Sequence, residues 1–453
     1  MVEKSHHLKA SLVDHLLERC LFYSGRTDCN QTAALQEFEE LTSLIIKIGS
    51  LEKGMFREPK REDNLDVFIK WCEARGIKID SIGIRKIDED SNEYGLFATE
   101  IIPENELILS IPDQAVFCVE SLQDSGFLDK LQNDPMLKSM PNLMLAFLLM
   151  IEYCKPDSGW KPYFNFFPAD YSTPLYYSTR DMEMLKGSPT LHDAVKLCRN
   201  IFRQYAYFWK KFHSKASPEF NKLPLKKNFC FNLYRWAVSS VMTRQNVLPS
   251  PQPKTALIPM WDMCNHENGK FSTDYDPQGK EVLFYAMKTF KKDQEIKIFY
   301  GERTNSEFLL NNGFVPSDSI RNSLNLRLGF TKSDPLLSSR VKIAEAIEVP
   351  ISGNFPLFNQ KEGYDTNLVK FLRVFTMSRE EVENCIESII NNKINRSDFE
   401  RVNDNVKNFL KTRSQILLRG YAQEVSENDL SNIGKRIKFF IQQEKKILES
   451  FVD

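Results

Sequence analysis

The sequence predicts an α+β protein in which a β-rich domain is interrupted by a helical insert and followed by a separate helical domain. Three observations support this fold class. The chain has 453 residues, more than one compact core usually holds, so two or three domains are expected. Strand-like segments form two blocks, near residues 83–112 and 282–299, with apolar residues at helical spacing between them. Beyond about residue 325 the helical spacing returns.

Composition and charge narrow the class of protein. Apolar residues make up 42% and charged residues 27% of the chain, as in ordinary soluble globular proteins. A net charge of −1 gives no bulk electrostatic attraction to nucleic acid or to an anionic membrane. The longest apolar run, Leu143–Ile151, is too short to span a bilayer. We expect a monomer with neither a nucleic-acid nor a membrane partner.

The nine cysteines are scattered, and none of them forms a Cys-x-x-Cys pair. This pattern is typical of a reducing compartment and argues against a disulfide framework or a cysteine-rich zinc site. The N-terminus also carries no apolar signal core. We therefore expect a cytoplasmic protein, and the short basic cluster at Lys60-Arg61 leaves a nuclear fraction open.

The elements follow in chain order. Residues 1–50 predict helices, because Leu12 and Leu16 share one helical face, as do Phe38 and Leu41. A charged segment with Pro59 then reads as a linker. The strands of the β-rich domain are predicted at Gly83–Ile87, Gly95–Thr99, Leu107–Pro112, Val282–Tyr285 and Glu295–Phe299, and the helices of the insert at Met144–Tyr153, His192–Lys211 and Asn232–Met242.

The last part of the chain predicts one strand, Leu324–Gly329, and then only helices. Ser378-Arg379-Glu380-Glu381 is a capping-box sequence, and the apolar residues after it keep to one helical face. The predicted domains are 1–60 for an N-terminal helical extension and linker, 61–325 for the β-rich domain with its insert at about 120–240, and 326–453 for the all-α C-terminal domain.

The stretch Ala256–Gly301 carries an unusual set of polar residues for a core, with Asn265-His266 near one end and Tyr300-Gly301 at the other. Buried polar groups must find partners. Cys264 and His266 are too few ligands for a structural zinc ion, so no metal is expected. A lone Cys264 without a nearby base is best explained as a small buried thiol. Upstream, Arg244-Gln245-Asn246 by itself fits a helix C-terminal cap.

Taken together, Asn265-His266 and Ile298-Phe299-Tyr300-Gly301 resemble the signature of SET-domain methyltransferases. Glu93–Thr99 is similar to the early glycine strand of that domain. The helical insert and the helical C-terminal domain resemble the Rubisco-methyltransferase subgroup, and Arg235–Asn246 and Ala256–Asn268 are close to its branch that methylates a histidine of actin. The resemblance covers roughly residues 55–450. It implies a SET domain with a threaded (pseudoknot) C-terminal segment, and a C-terminal domain that binds a protein substrate.

The resemblance also implies that S-adenosylmethionine is the cofactor. Asn92 and Glu93 depart from the Glu-Gly-Phe that the family often shows with Tyr94, and Asn312 stands where serine is common. The residues implied to bind the cofactor are Arg61, Asn92, Glu93, Tyr94, Arg244, Asp262, Met263, Cys264, Asn265, His266 and Asn312. On the substrate side, the resemblance implies a catalytic pair, Tyr300 and Asn246, and a substrate slot lined by Trp261, Leu248, Ile298 and Arg303.

These residue types suit methylation of histidine. A histidine has a reference pKa of about 6.5, so it is mostly neutral at pH 7 and already carries a nucleophilic lone pair. What the site must supply is a fixed tautomer, and an amide such as that of Asn246 offers both a donor and an acceptor. Trp261 offers a flat apolar wall. We therefore expect a protein-histidine N-methyltransferase acting on actin.

Two alternatives stay open at this point. One is a lysine methyltransferase of the same subgroup, although a lysine channel needs neither the imidazole partner Asn246 nor so wide a slot. The other is a non-catalytic module that keeps the fold and uses the C-terminal helices to hold a partner. Asn265-His266 and Tyr300 argue against it, whereas the changes at Asn92 and Asn312 keep it open.

Overall fold

The computed structural model describes residues 2–26, 30–88, 93–121, 128–248, 253–319, 322–422 and 426–452. The N-terminal part forms two long helices, as predicted: α1 (Val2–Ser24) and α2 (Gln31–Leu51). Asn30 caps α2, its side-chain oxygen accepting from the Ala33 N–H at 2.9 Å. Both helices pack against a long helix, Thr190–His213, which belongs to the helical insert.

A buried carboxylate, that of Glu52, joins these N-terminal helices to the insert. It accepts from Lys9 Nζ at 2.6 Å, from Tyr205 Oη at 2.5 Å and from the Phe231 N–H at 2.7 Å. Because all three partners are hydrogen-bonded to one buried charge, loss of any of them would leave that charge poorly compensated. The extension is therefore an integral part of the fold and not a loose arm.

The β-rich part consists of three small sheets. The first has the order β1 (Ile82–Lys86), β2 (Tyr94–Ala98), β10 (Glu295–Ile298), β7 (Asn265–His266), and the last two strands run parallel, with Lys297 opposite Asn265 and Ile298 opposite His266. The predicted SET motif thus lies on neighbouring strands. The other two sheets have the orders β3 (Leu107–Pro112), β9 (Glu281–Tyr285), β8 (Thr273–Asp276), and β4 (Phe117–Cys118), β6 (Lys254–Leu257), β5 (Asn246–Leu248).

Helices fill the space between β4 and β5, where the insert was predicted. One helix, α3 (Leu65–Ala74), precedes the first strand, and a short one, α12 (Asn305–Glu307), follows β10 and continues into a π-helical turn at Phe308–Asn312. The insert contains α4 (Leu128–Leu131), α5 (Pro135–Ser139), α6 (Pro141–Cys154), α7 (Lys161–Phe164), α8 (Thr179–Glu183), α9 (Thr190–His213), α10 (Pro218–Asn221) and α11 (Phe231–Arg244).

The C-terminal part departs from the prediction in one element. Ser352–Phe358 is a strand, β12, which pairs antiparallel along its whole length with β11 (Ser323–Gly329), so this part is not wholly helical. Gly353 and Pro356 weaken the strand pattern in the sequence, because both residues are rare inside strands. Its helices are α13 (Leu337–Ala346), α14 (Thr366–Phe375), α15 (Arg379–Ile390), α16 (Asp404–Gly420) and α17 (Asn432–Glu449).

Two hydrophobic cores form, and α17 belongs to both. Ile437 and Phe440 are buried in the large core of the first 320 residues, whereas Ile447 and Leu448 are buried in the smaller C-terminal core. Ser431 fixes the start of this helix, since its hydroxyl accepts from the Gly434 N–H and donates to Asp181, each at 2.9 Å. Among the helices of the described part, none is long and apolar enough to cross a membrane.

Candidate active site

Two adjoining cavities lie beside the parallel pair β7 and β10. Cavity A, of about 260 Å³, is lined by Asn246, Trp261, Phe271, Ile298 and Arg303 among others. Cavity B, of about 370 Å³, is lined by Arg61, Glu93, Tyr94, His266, Phe314 and Arg436 among others. They share five lining residues: Thr243, Arg244, Asp262, Tyr300 and Asn312. A molecule in one cavity can therefore contact a molecule in the other.

The wall between the cavities is built around a buried ion pair. Nη1 of Arg244 lies 3.2 Å from Oδ2 of Asp262 and donates to the Asp262 carbonyl oxygen at 3.0 Å. The hydroxyl of Tyr163 donates to the same carboxylate at 2.6 Å. Burial raises the pKa of the Asp262 carboxyl, and Arg244 opposes that shift. The pair fixes the last turn of α11 against the segment before β7, which positions both cavities.

Arg61 is a second buried cation, and its environment differs. Its guanidinium lies 4.7 Å from the ring centre of Tyr94 and 4.8 Å from that of Phe166, and it contacts the sulfur of Met263 at 3.4 Å. In the described part of the chain it forms no ion pair, and only 6% of the residue is exposed. Burial, together with the nearby Arg244, lowers its pKa to about 9. A buried cation that faces a cavity without an acidic partner suits an anionic ligand group.

The first strand pair contributes a close backbone approach. Nδ2 of Asn265 donates to Oε1 of Glu295 at 2.7 Å. A Cβ atom on residue 95 would lie 2.9 Å from that oxygen, so a larger residue there would have to displace the end of the Glu295 side chain and disturb this bond. Gly95 on β2, Asn265 on β7 and Glu295 on β10 therefore form one interlocked corner of cavity B.

His266 and Tyr300 are held by mutual contacts. The backbone N–H of Tyr300 donates to Nδ1 of His266 at 3.3 Å, which assigns the ring proton to Nε2 in the neutral form. The hydroxyl of Tyr300 donates to the Cys264 carbonyl oxygen at 2.7 Å. Burial lowers the pKa of His266 and raises that of Tyr300 above its usual range. At neutral pH Tyr300 keeps its proton, and the basic nitrogen of the neutral His266 ring, Nδ1, already accepts from the Tyr300 N–H, so neither group is a ready general base.

Cavity A contains an amide and an indole, both held in place. Oδ1 of Asn246 accepts from the Val247 N–H at 2.9 Å, which distinguishes the oxygen end of the amide from the nitrogen end. Nε1 of Trp261 donates to Thr273 Oγ1 at 2.9 Å. The cavity thus offers a flat apolar wall and a fixed polar group, a combination that suits a planar, partly polar ring.

Comparison with known proteins agrees with this geometry. The SET domain model matches residues 93–301, and the model named Rubisco LSMT substrate-binding matches residues 331–448. The actin-histidine N-methyltransferase of Homo sapiens is 35% identical over 438 residues, covering 92% of this chain and 73% of that protein. That of Gallus gallus is 35% identical over 407 residues, covering 87% and 68%. The chain belongs to the actin-histidine N-methyltransferase family. The resemblance found in the sequence is therefore confirmed.

Solved structures of other proteins have the same fold as this chain. The SET domain of LSMT bound to lysine and AdoHcy has a TM-score of 0.69 at 18% identity, covering 87% of this chain and 91% of that one. Rubisco LSMT bound to AdoMet has a TM-score of 0.67 at 20% identity, covering 86% and 90%. The SET fold is thus established, whereas the threading of its C-terminal segment stays a prediction.

The structure brings most of the residues predicted for this family into the two cavities. Residues of the substrate slot and the catalytic pair that line cavity A are Asn246, Trp261, Ile298, Tyr300 and Arg303. Residues of the predicted cofactor set that line cavity B are Arg61, Glu93, Tyr94, Arg244, Asp262, Met263, Asn265, His266 and Asn312. Asn312 also accepts from Arg303 Nη1 through Oδ1 at 2.8 Å, and Asn92 lies outside the described residues.

Two predicted residues lie elsewhere. Leu248, predicted to line the substrate slot, is 3% exposed and lines a different cavity with Trp160 and Lys254. The reason is that β5 runs away from cavity A by about 3.3 Å per residue, so Val247 is the last residue of the strand that lines it. Cys264, assigned to the cofactor set, lines cavity A instead.

The sequence analysis did not name every lining residue, and Phe271, Phe314 and Arg436 are three that it missed. Phe271 lines cavity A with 75% of its surface exposed, and the exposure of a large ring cannot be read from a sequence. Phe314 lines cavity B and follows Asn312-Gly313 closely enough that the predicted Asn312 could have signalled it. Arg436 also lines cavity B, but it comes from α17, far along the chain. In the described part, His, Cys, Asp and Glu form no cluster suited to a metal ion.

Proposed function

We propose that this protein transfers a methyl group from S-adenosylmethionine to a ring nitrogen of a histidine in actin. The observation that carries the proposal is the junction of the two cavities at Arg244 and Tyr300. A fixed amide and an indole lie on one side, and on the other lies the buried Arg61 guanidinium, which has no ion-pair partner among the described residues. Membership of the actin-histidine N-methyltransferase family supports the choice of histidine and of actin.

The residues of cavity B suit the cofactor. When bound, S-adenosylmethionine supplies a methyl group activated by a sulfonium. Arg61 would bind its carboxylate, which would compensate the buried charge of the guanidinium. Phe314 offers an aromatic face. The carboxylates of Glu93, Asp262 and Glu295 line the cavity together with four cations, so it offers partners for charged groups of both signs.

The residues of cavity A suit a neutral imidazole. Oδ1 of Asn246 has a second lone pair besides the one used by the Val247 N–H, so it can accept the N–H of a histidine ring. That bond holds the proton on one ring nitrogen and leaves the lone pair of the other free to point toward the cavity junction. Trp261 limits tilting of the ring. Positioning is the main contribution, because a neutral imidazole needs no base before it reacts.

Tyr300 has a positioning role at the junction. Its hydroxyl is committed to the Cys264 carbonyl oxygen, and its raised pKa keeps it protonated. After transfer the ring is cationic, and the proton that Asn246 holds on its other nitrogen is the one that must leave to water. The side chains of the site thus orient the acceptor, and none of them has to carry a proton.

A methylation assay on actin and on actin peptides, with the methyl located by mass spectrometry, tests the proposal. We expect one methyl on one histidine and no product after that histidine is replaced by alanine. Label on a lysine would instead support a lysine methyltransferase. A protein that binds S-adenosylmethionine in calorimetry but transfers no methyl would support a non-catalytic binding module.

We further propose that residues 326–453 hold the substrate, that the protein acts as a monomer, and that it works in the cytoplasm. The match of residues 331–448 to the Rubisco LSMT substrate-binding model supports the first point. The eight described cysteines are all free thiols, which suits a reducing compartment. Sedimentation of the purified chain and fractionation of cells test the other two points.

A further inference from the structure

Arg436 is the residue of the C-terminal domain that lines cavity B. It lies on α17 directly before Ile437, which is buried in the large core, so the helix fixes the start of its side chain. The rest of cavity B is built from segments before residue 320. The cavity is therefore incomplete without the C-terminal helix.

The guanidinium of Arg436 joins two separate walls of this cavity. Nη1 donates to the Gly313 carbonyl oxygen at 2.9 Å. Nη2 forms an ion pair with the Glu93 carboxylate on the opposite side, just before β2. The side chains of this pair are 33% and 57% exposed, so the pair stands at the rim of the cavity and not in its floor.

The Gly313 end of this contact is rigid. Gly313 has a φ of +78° and ends the π-helical turn at Phe308–Asn312. A Cβ on residue 313 would lie 2.9 Å from the Ser172 carbonyl carbon, so the backbone is tightly enclosed there. The next residue, Phe314, lines cavity B with its ring 6.1 Å from that of His266. Arg436 is thus anchored to the Gly313 segment, and from this fixed position its guanidinium holds the Glu93 carboxylate.

We propose that Arg436 is a cofactor-positioning residue, supplied by the C-terminal domain, that holds Glu93 and the Gly313-Phe314 segment in place around S-adenosylmethionine. The proposal rests on the proposed function only in its choice of cofactor. It gives the C-terminal domain a second task besides holding the substrate. Because one helix serves both, occupancy of the cofactor cavity and the position of this domain are coupled, and any such coupling is reciprocal.

Calorimetric titration of the full chain with S-adenosylmethionine, without any protein substrate, tests this directly. We expect Arg436→Ala to weaken Kd by about two- to fivefold, the range for loss of an ion pair at a partly exposed site. Arg436→Lys keeps the charge but cannot contact both partners through two nitrogens. It should therefore bind S-adenosylmethionine better than Arg436→Ala but less tightly than the unaltered chain. In methylation assays KM for S-adenosylmethionine should rise while kcat changes less than twofold.

Lys435→Ala is the matched control, since Lys435 is the neighbouring exposed cation on the same helix. It should leave Kd and KM unchanged. Glu93→Gln provides a second test: if Arg436 acts through Glu93, adding Arg436→Ala to this variant should weaken binding by less than it does in the unaltered chain.

Two results would overturn the inference. One is an Arg436→Ala protein with normal Kd for S-adenosylmethionine. The other is a loss of affinity that is not specific to the Arg436 guanidinium. This would be seen if Lys435→Ala weakened Kd as much as Arg436→Ala does, or if Arg436→Lys bound no better than Arg436→Ala. Failure of the proposed function looks different, because a protein that methylates no histidine could still show the full effect of Arg436 on cofactor binding.

Discussion

Gly95 approaches Glu295 so closely that a Cβ on residue 95 would lie 2.9 Å from Oε1, the atom that accepts from Asn265. This contact joins β2, β10 and β7 at one corner of cavity B. The Asn265–Glu295 bond between β7 and β10 thus depends on the space left beside Gly95, which a larger residue would enter only by displacing the Glu295 carboxylate.

Gly95→Ala should therefore disturb the cofactor site more than the fold. We expect a loss of about 1 kcal/mol in stability, at the low end for overpacking because the Glu295 carboxylate can shift, and weaker S-adenosylmethionine binding because the Asn265–Glu295 bond is displaced. Gly83→Ala is the control in the adjacent strand, where a Cβ would meet only Thr99 Cγ2 at an ordinary 3.7 Å. Urea unfolding and calorimetry measure the two effects. Equal loss of cofactor affinity in both variants would contradict the interpretation.

Arg61→Met should change stability and affinity in opposite directions. The guanidinium is buried without an acidic partner in the described part of the chain, so its removal should stabilise the ligand-free chain by about 1 kcal/mol or more. Binding of S-adenosylmethionine should be weakened at least tenfold, because its carboxylate loses its cation. Thermal unfolding with and without the cofactor measures both.

Arg244→Met provides the contrast. Arg244 pairs with Asp262, so its loss leaves a buried carboxylate unpaired and should destabilise the ligand-free chain by about 3–5 kcal/mol. If Arg61→Met destabilises the ligand-free protein as strongly as Arg244→Met does, Arg61 is a structural residue and its assignment to the cofactor is wrong.

Asn246→Ala should impair histidine methylation while sparing the cofactor. Loss of a buried hydrogen bond to the substrate costs about 1–3 kcal/mol, which corresponds to roughly 5- to 150-fold in kcat/KM. Asn246→Asp keeps an acceptor oxygen, so it should retain more activity than alanine if the oxygen holds the ring N–H. Kd for S-adenosylmethionine should not change in either variant. A parallel loss of cofactor affinity would instead assign Asn246 to cavity B.

Glu444 predicts a pH-dependent contribution to stability. It is buried on α17 and accepts from the Tyr421 hydroxyl at 3.0 Å, and burial raises its pKa from 4.5 to about 7. The folded state therefore binds an extra proton between these values. Its contribution to stability is fully present below pH 4.5 and is lost as the pH rises through 7. The loss amounts to about 3 kcal/mol at 1.4 kcal/mol per pH unit.

Glu444→Gln should remove this dependence, so that the variant gains stability relative to the unaltered chain as the pH rises from 5.5 to 8. Urea unfolding at the two pH values measures the difference. Glu449→Gln, at an exposed position on the same helix, should leave the pH dependence as it is. Parallel pH profiles for Glu444→Gln and the unaltered chain would show that Glu444 is not protonated in the folded state.

The sequence analysis succeeded where a local pattern carries the information. The helical periodicities placed the insert, and Asn265-His266 and Tyr300 identified the strands beside which the two cavities lie. Leu248 was misplaced because the sequence does not show how far β5 follows cavity A, and the strand has left the cavity after Val247. β12 was missed because Gly353 and Pro356 weaken its strand signal. Arg436 carried no signal, since its role arises only when α17 packs beside Gly313 and Glu93.

The shared helix α17 also determines how the chain can be divided. Its first half fills the large core through Ile437 and Phe440, and its second half fills the smaller core through Ile447 and Leu448. A fragment that stops before Asn432 would open a gap in the SET-domain half, and a fragment that starts at the C-terminal domain would expose the apolar face that filled it. The two parts should therefore melt in a single transition, and neither should be obtainable as a stable, separately expressed piece.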